Sequence, residues 1–207
     1  MLRTLAAPGR IRALAAGGAA ATLAALSLGA TSAHAALIRT GACDASALSR
    51  PFSAWGDSNT YKLAPGGDFE GTMSGWTLRG GGRVVSGGGP LDDGEGHAVA
   101  LSPGGWVQTP KTCVNTSYPT FRFFMAGGSA TTTLLVQAVY ALPLLGDVPV
   151  PVGVVTLSPG WSPTLPMLTA STVPGLLSNG TAQVALRFTQ LLGSSQIDDV
   201  YIDPRMR

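Results

Sequence analysis

Two neighbouring carboxylates, Asp198 and Asp199, stand in the middle of SSQIDDVYIDP, residues 194–204, a stretch that otherwise alternates like a β-strand. Alternate residues of an extended strand share a face, which places Asp198 with Val200 and Ile202, and Asp199 with Ile197 and Tyr201. A carboxylate at the margin of an apolar core costs several kcal/mol, on the order of 3–5, unless an arginine, backbone amides or a metal compensates it. Arg79, Arg83, backbone N–H groups and a hard cation are the candidates to meet Asp198. A second acidic cluster is GGDFEG, residues 66–71, with Asp68 and Glu70 ahead of Trp76. The densest group, Asp92-Asp93-Gly94-Glu95, lies among glycines and reads as a solvated loop.

The remaining reactive side chains exclude several chemistries. His34 lies in an N-terminal leader, which leaves His97 as the one histidine of the body, at the head of the alternating run His97 to Leu101. No Gly-x-Ser-x-Gly elbow accompanies it, so a serine nucleophile has no partner set, and one histidine builds no zinc site without carboxylate help. A glycosidase needs two carboxylates flanking a cleft; Glu70, Glu95 and the aspartates supply candidates in number but not in pattern. Gly94 and Gly96 are followed by Val99 rather than by a third glycine and a helix, which fails the dinucleotide spacing. Cys43 and Cys113 are the only cysteines. In an oxidising compartment they are expected to pair, closing a loop of about 70 residues worth roughly 4 kcal/mol of unfolded-state entropy.

That compartment follows from residues 1–35. Arg3, Arg10 and Arg12 precede the apolar run Ala13 to Gly29, and Ala33-His34-Ala35 is a small-residue cleavage site. A signal peptide removed after Ala35 is the expectation, with a transmembrane anchor and a lipoprotein box at Thr40-Gly41-Ala42-Cys43 as the alternatives weighed against it. The full chain has a formal net charge of +2, and three of its thirteen basic residues belong to the leader. The body therefore carries no basic patch for nucleic acid. Its length suits one domain.

The elements that must position these residues read as strands. Segments rich in β-branched and aromatic residues recur between Gly and Pro clusters: 76–78, 83–85, 97–101, 106–108, 121–125, 131–140, 148–156, 181–190 and 196–202. About nine short strands at this spacing predict an all-β antiparallel sandwich. Thr181 to Gln190 alternates most clearly, with Ala182, Val184, Leu186 and Phe188 on one side and Gln183, Arg187 and Thr189 on the other. Residues 171–178, closed by Asn179-Gly180, are the one expected helix. Residues 36–64 are expected to wrap the sandwich as an irregular arm, with the domain proper over 65–207.

GGDFEG with a following tryptophan, together with the closing IDDVYIDP, resembles the opening and closing signature of galactose-binding-like jelly-roll domains. These include carbohydrate-binding modules of secreted bacterial enzymes, and the chain is also similar to small exported bacterial proteins of the same architecture. The resemblance covers about Pro65 to Pro204. It implies a jelly-roll β-sandwich with a structural calcium held by Glu70 and Asp198 with backbone carbonyls, Asp199 and Asp68 helping, and Trp76 in the core. Gly67-Asp68 departs from the Asn-Pro or Asn-Gly usual in those modules, which touches the ligand set more than the fold. Calcium prefers six to eight oxygens, so such an ion would join the first strand to the last.

The function that follows is an exported, non-catalytic domain binding an extracellular glycan or cell-envelope component. The alternatives are an envelope structural or protein-interaction module and a small glycan-acting hydrolase or lyase. Sugar recognition uses aromatic rings that stack on pyranose faces, with amides, carboxylates or arginines bonding the hydroxyls. Trp55, Trp106, Trp161 and Tyr118 lie beside Gly, Ser or Pro and are the candidate platforms.

Overall fold

A computed structural model describes residues 47–91, 95–115, 120–128, 131–142, 144–157, 159–169 and 181–203. The chain divides into two units, Met1–Ala33 and His34–Arg207, and every described residue belongs to the second. The leader, Cys43, Tyr118, Asp92, Asp93 and the expected helix lie outside the described residues.

The strands are β1 (Leu48–Ser49), β2 (Tyr61–Leu63), β3 (Thr77–Arg79), β4 (Arg83–Ser86), β5 (His97–Leu101), β6 (Trp106–Gln108), β7 (Thr112–Asn115), β8 (Thr120–Gly127), β9 (Thr132–Leu142), β10 (Gly146–Leu157), β11 (Gly160–Pro163), β12 (Met167–Leu168), β13 (Thr181–Leu192) and β14 (Ser195–Asp203). They form an eight-stranded sheet with the order β1-β2-β14-β5-β4, β8 pairing β14, β11 and β12, and a six-stranded sheet with the order β10-β9-β13-β6-β3, β7 pairing β13. All pairings between named strands are antiparallel. The result is a jelly-roll β-sandwich. No helix of the described residues is long and apolar enough to cross a membrane.

One core joins the sheets. Val99, Leu101, Phe121, Phe123, Met125, Ile197, Val200 and Ile202 of the eight-stranded sheet meet Val107, Leu134, Val136, Leu186 and Phe188 of the other. Except on β14, where Ile197 and Val200 break the period, these are the residues alternation predicts to point inward, since pleating sends every second side chain to the opposite face. Trp76 joins them at 8% exposure, edge-on to Phe69 with 4.7 Å between ring centroids, and its indole N–H donates to the Pro65 carbonyl at 2.9 Å.

The segment expected to be an irregular arm supplies β1 and β2, and β2 pairs with the closing strand through Leu63↔Tyr201 and Lys62↔Ile202. Only three residues of β2 carry the pattern, too short a run for periodicity to reveal. The arm also lays Phe52, Tyr61 and Trp55 over the outer face of the eight-stranded sheet, where Phe52, Tyr61, Phe124 and Tyr201 form a separate buried cluster. Asp57 anchors it. The Arg122 guanidinium donates to Asp57 Oδ2 at 2.7 Å and to the Thr164 carbonyl at 2.8 Å, lies 4.2 Å above the Phe52 ring, and Tyr61 Oη donates to the same Asp57 oxygen at 2.5 Å.

Candidate functional site

The paired acids sit at a seam. Along one edge, β14 pairs with β5 through Ile197↔Val99 and resumes with β2 at Tyr201↔Leu63, so residues 198–200 have no strand beside them there. Along the other edge the pairing with β8 shifts register between Asp198 and Tyr201. Asp199 occupies the left-handed region with φ 53°, the conformation in which Asp is among the tolerated residues. This bulge corrects the simple alternation: Ile197, Val200 and Ile202 all face the core, which an unbroken period of two forbids.

Backbone groups fill the seam. Val200 exchanges hydrogen bonds with the opening motif, its N–H donating to the Gly67 carbonyl at 3.0 Å and its carbonyl accepting from Ala64 N–H at 2.8 Å. Gly67 must be glycine, because a Cβ there would lie 2.8 Å from the Val200 oxygen. The opening and closing motifs are therefore spatial neighbours. Asp198, fully buried, accepts from the amide of Gly89 at 2.5 Å and from that of Asp199 at 2.8 Å. Neither Arg79 nor Arg83 meets it. Arg79 donates to the Leu78 carbonyl, and Arg83 is exposed on β4.

Glu70 reaches the far end of the same glycine-rich loop. It accepts from the backbone N–H of His97 and stands 3.1 Å from His97 Nδ1, and these two hydrogen bonds hold its carboxyl below the usual glutamate range. Asp68 Oδ1 accepts from Glu70 N–H at 3.4 Å. The opening and closing acids thus grip the β4–β5 loop at His97 and Gly89 by its amides. Among the described residues, no three His, Cys, Asp or Glu side chains gather as a metal cluster. What these residues offer a hard cation is Asp198 and Asp199 with nearby carbonyls: the Oδ2 atoms of both acids would lie 3.1 and 3.4 Å from a Cβ built on Gly89.

A second arrangement occupies the outer face of the six-stranded sheet. Register aligns Thr77, Gln108, Arg187, Gln137 and Pro151 in one row across β3, β6, β13, β9 and β10. The next row is Arg79, Trp106, Thr189, Leu135 and Val154. Their strand neighbours Leu78, Val107, Leu134, Val136 and Phe188 point to the core, so both rows face outward. Arg187 is fixed there by two bonds to Gln108 Oε1 at 2.9 and 2.7 Å, and its guanidinium lies 4.4 Å above the Trp106 ring. Thr189 Oγ1 donates to Gln137 Oε1 at 3.3 Å. A half-buried indole, a planar cation and two amides thus stand in register, none covered by the described part of the arm.

The fold of the sandwich has solved counterparts. A two-module piece of xylanase 10B from Clostridium thermocellum, carrying CBM22-1 and GH10 modules and complexed with xylohexaose, superposes with a TM-score of 0.52 at 15% identity, over 71% of this chain and 29% of that one. The chain has the jelly-roll fold of carbohydrate-binding modules. It spans about three-tenths of that xylanase piece. The CBM22 tandem of Xyn10C from Paenibacillus barcinonensis follows at TM-score 0.48 and 17% identity, covering 66% of this chain and 48% of that one. The K1 cleaved adhesin domain of Lys-gingipain from Porphyromonas gingivalis gives 0.46 at 14%, covering 67% and 96%. No family model matches the chain, and no curated protein matches it in sequence.

Within this jelly roll the four candidate aromatics separate. Trp106 stands on the open face. Trp55, 41% exposed, packs edge-on against Phe124 at 5.0 Å, and Trp161 packs against the Phe52 cluster, both on the eight-stranded sheet. Tyr118 lies outside the described residues. Arg187, Gln108, Gln137 and Arg79 were not singled out as ligand candidates. For Arg187 the signal was the polar side of the strand 181–190, which marks it as outward but not as a neighbour of Trp106; Gln108, Gln137 and Arg79 lie on other strands and join it only through register. Cys113 is buried on β7, and no described cysteine is free.

Proposed function

We propose that this protein is an exported, non-catalytic glycan-binding domain that holds a polysaccharide chain across the outer face of its six-stranded sheet. The observation that carries this is the row pair centred on Trp106 and Arg187. Neighbouring strands are about 4.8 Å apart, so five strands make a track of roughly 19 Å, which suits an oligosaccharide rather than a single sugar. Arg187 stacks on one face of the indole and fixes the ring; the opposite face is left for a pyranose, with Gln108, Gln137 and Arg79 bonding hydroxyls. The reading assigns no catalysis: the buried acid Asp198 holds the β4–β5 loop by the Gly89 amide.

Three further features belong to the proposal. The leader directs export, Cys43 pairs with Cys113, and a structural calcium is held by Glu70 and Asp198 with backbone carbonyls, Asp199 and Asp68 helping, a mix of oxygens of the kind calcium prefers. Calcium titration of the chelator-treated protein, read by calorimetry and melting temperature, tests the ion: heat and a raised melting temperature support it, and silence in both removes it. Affinity electrophoresis on neutral and acidic polysaccharides tests the face. Binding to at least one, weakened about tenfold by Trp106→Ala, is the expected result; uniform failure to bind any polysaccharide refutes the reading. An envelope protein-interaction module is the second reading, favoured by the apolar β9–β10 tip, where Leu144 is 96% and Leu145 73% exposed.

A further inference from the structure

The opposite sheet carries a cavity of its own. Register places Arg83, Ala100, Gln196, Ala126 and Trp161 in a single row across β4, β5, β14, β8 and β11. Their strand neighbours Val99, Leu101, Ile197 and Met125 point into the core, so this row faces outward. Two alanines flanking Gln196 leave a depression with the Arg83 guanidinium at its side. A cavity of about 330 Å³ opens there, at the end of the sheet, where Ser102, Gly127, Gly128 and Ser194 close it. That volume is at the lower end of the roughly 300–1,000 Å³ of small-molecule sites, and it exceeds what a lone inorganic anion fills.

The charge of the cavity is one-sided. Among the described residues no carboxylate lines it and Arg83 forms no ion pair. An arginine presents a planar fork that matches a carboxylate bidentately. The serine hydroxyls and the Gln196 amide are the groups that pair with sugar hydroxyls. We propose that this cavity is a second saccharide site, separate from the Trp106 face, which takes one carboxylated sugar unit, a uronate, with its carboxylate on Arg83.

The test uses the full chain and four probes, methyl glucuronide, methyl glucoside, acetate and sulfate, titrated by calorimetry and by protein NMR. The expected result is that the glucuronide binds at least tenfold more tightly than the glucoside and than either simple anion, with shifts at Gln196 and Ser194. Arg83→Met is expected to remove the preference for the glucuronide, Arg83→Lys to keep part of it, and Trp106→Ala to leave it intact. Equal binding of glucuronide and glucoside would overturn the proposal. So would a preference that survives Arg83→Met, or acetate or sulfate binding as tightly as the glucuronide, which would make the cavity a bare anion site. Loss of polysaccharide binding in Trp106→Ala with the Arg83-dependent preference retained would show the two sites to be independent.

Discussion

Among the described residues, the two sheets differ most in what lies over their outer faces. On the eight-stranded sheet the arm covers Phe124 and Tyr201 with Phe52 and Tyr61 and locks itself through Asp57 and Arg122, whose side chains are 15% and 8% exposed. On the six-stranded sheet Arg187 and Gln108 make a comparable polar pairing that stays at the surface beside Trp106. The same interaction types therefore do different work. Buried beneath a strap, an arginine and its acceptor hold a fold together; left in the open on a flat sheet, they hold an aromatic ring in place for a ligand.

The sharpest way to break this comparison is to remove each arginine. Arg122→Met removes the charged partner of the half-buried Asp57 carboxylate and is expected to destabilise the protein by about 3–5 kcal/mol in urea unfolding. Arg187→Met is expected to change stability by under about 1 kcal/mol while weakening polysaccharide binding. Similar losses of stability would show that the faces do not differ as described. Asp198→Ala comes next. It leaves the Gly89 amide without its acceptor, and a loss of about 1–3 kcal/mol in the same assay is expected.

The strap also has its own pH window. Burial raises the Asp57 pKa, but hydrogen bonds from Tyr61, the Asn59 amide and Arg122 outweigh it and hold the carboxyl below its ordinary 3.8. A depressed carboxylate contributes stability above its unfolded pKa and loses it as pH falls through the folded value, so the strap weakens on the acid side below about pH 4. Burial, then the bond to Asp57, pushes the Tyr61 hydroxyl up to about 12. A raised phenol contributes stability below its unfolded value of 10.0 and loses it as pH rises from there towards 12. Tyr61→Phe is expected to remove the alkaline limb and, since its hydroxyl also holds Asp57 down, to weaken the acid limb, both followed as melting temperature against pH; an unchanged alkaline limb would place its origin elsewhere. The smallest effect is expected from Glu70→Gln, which keeps an acceptor for the exposed His97 amide: faster hydrogen exchange at His97 with little change in melting temperature.

How much of this was legible beforehand depends on the range of the interaction. The strand 181–190 and its inward set Ala182, Val184, Leu186 and Phe188 were readable because period-two alternation is a local signal. The meeting of GGDFEG with IDDVYIDP was readable through family resemblance, and the Gly67–Val200 bonds are its physical content. The bulge at Asp198 and Asp199 was not. Local alternation assigns each residue a face only while the pairing register holds, and here it changes because β14 passes from β5 to β2 along one edge. The strands of the arm were missed for a related reason: β1 and β2 have two and three residues, and what makes them strands is the partner beside them.

Composition and alternation by themselves determined an all-β sandwich and the inward residues of the strand 181–190, because each depends on neighbours close in the chain, while the core place of Trp76 came from the resemblance of GGDFEG and its following tryptophan. Which aromatic faces open ground, which is sealed beneath the arm, and which amides meet the buried acids were decided only by the tertiary structure. Those answers depend on register between strands far apart in sequence, such as β6 with β13, and register is a property of the assembled sheet.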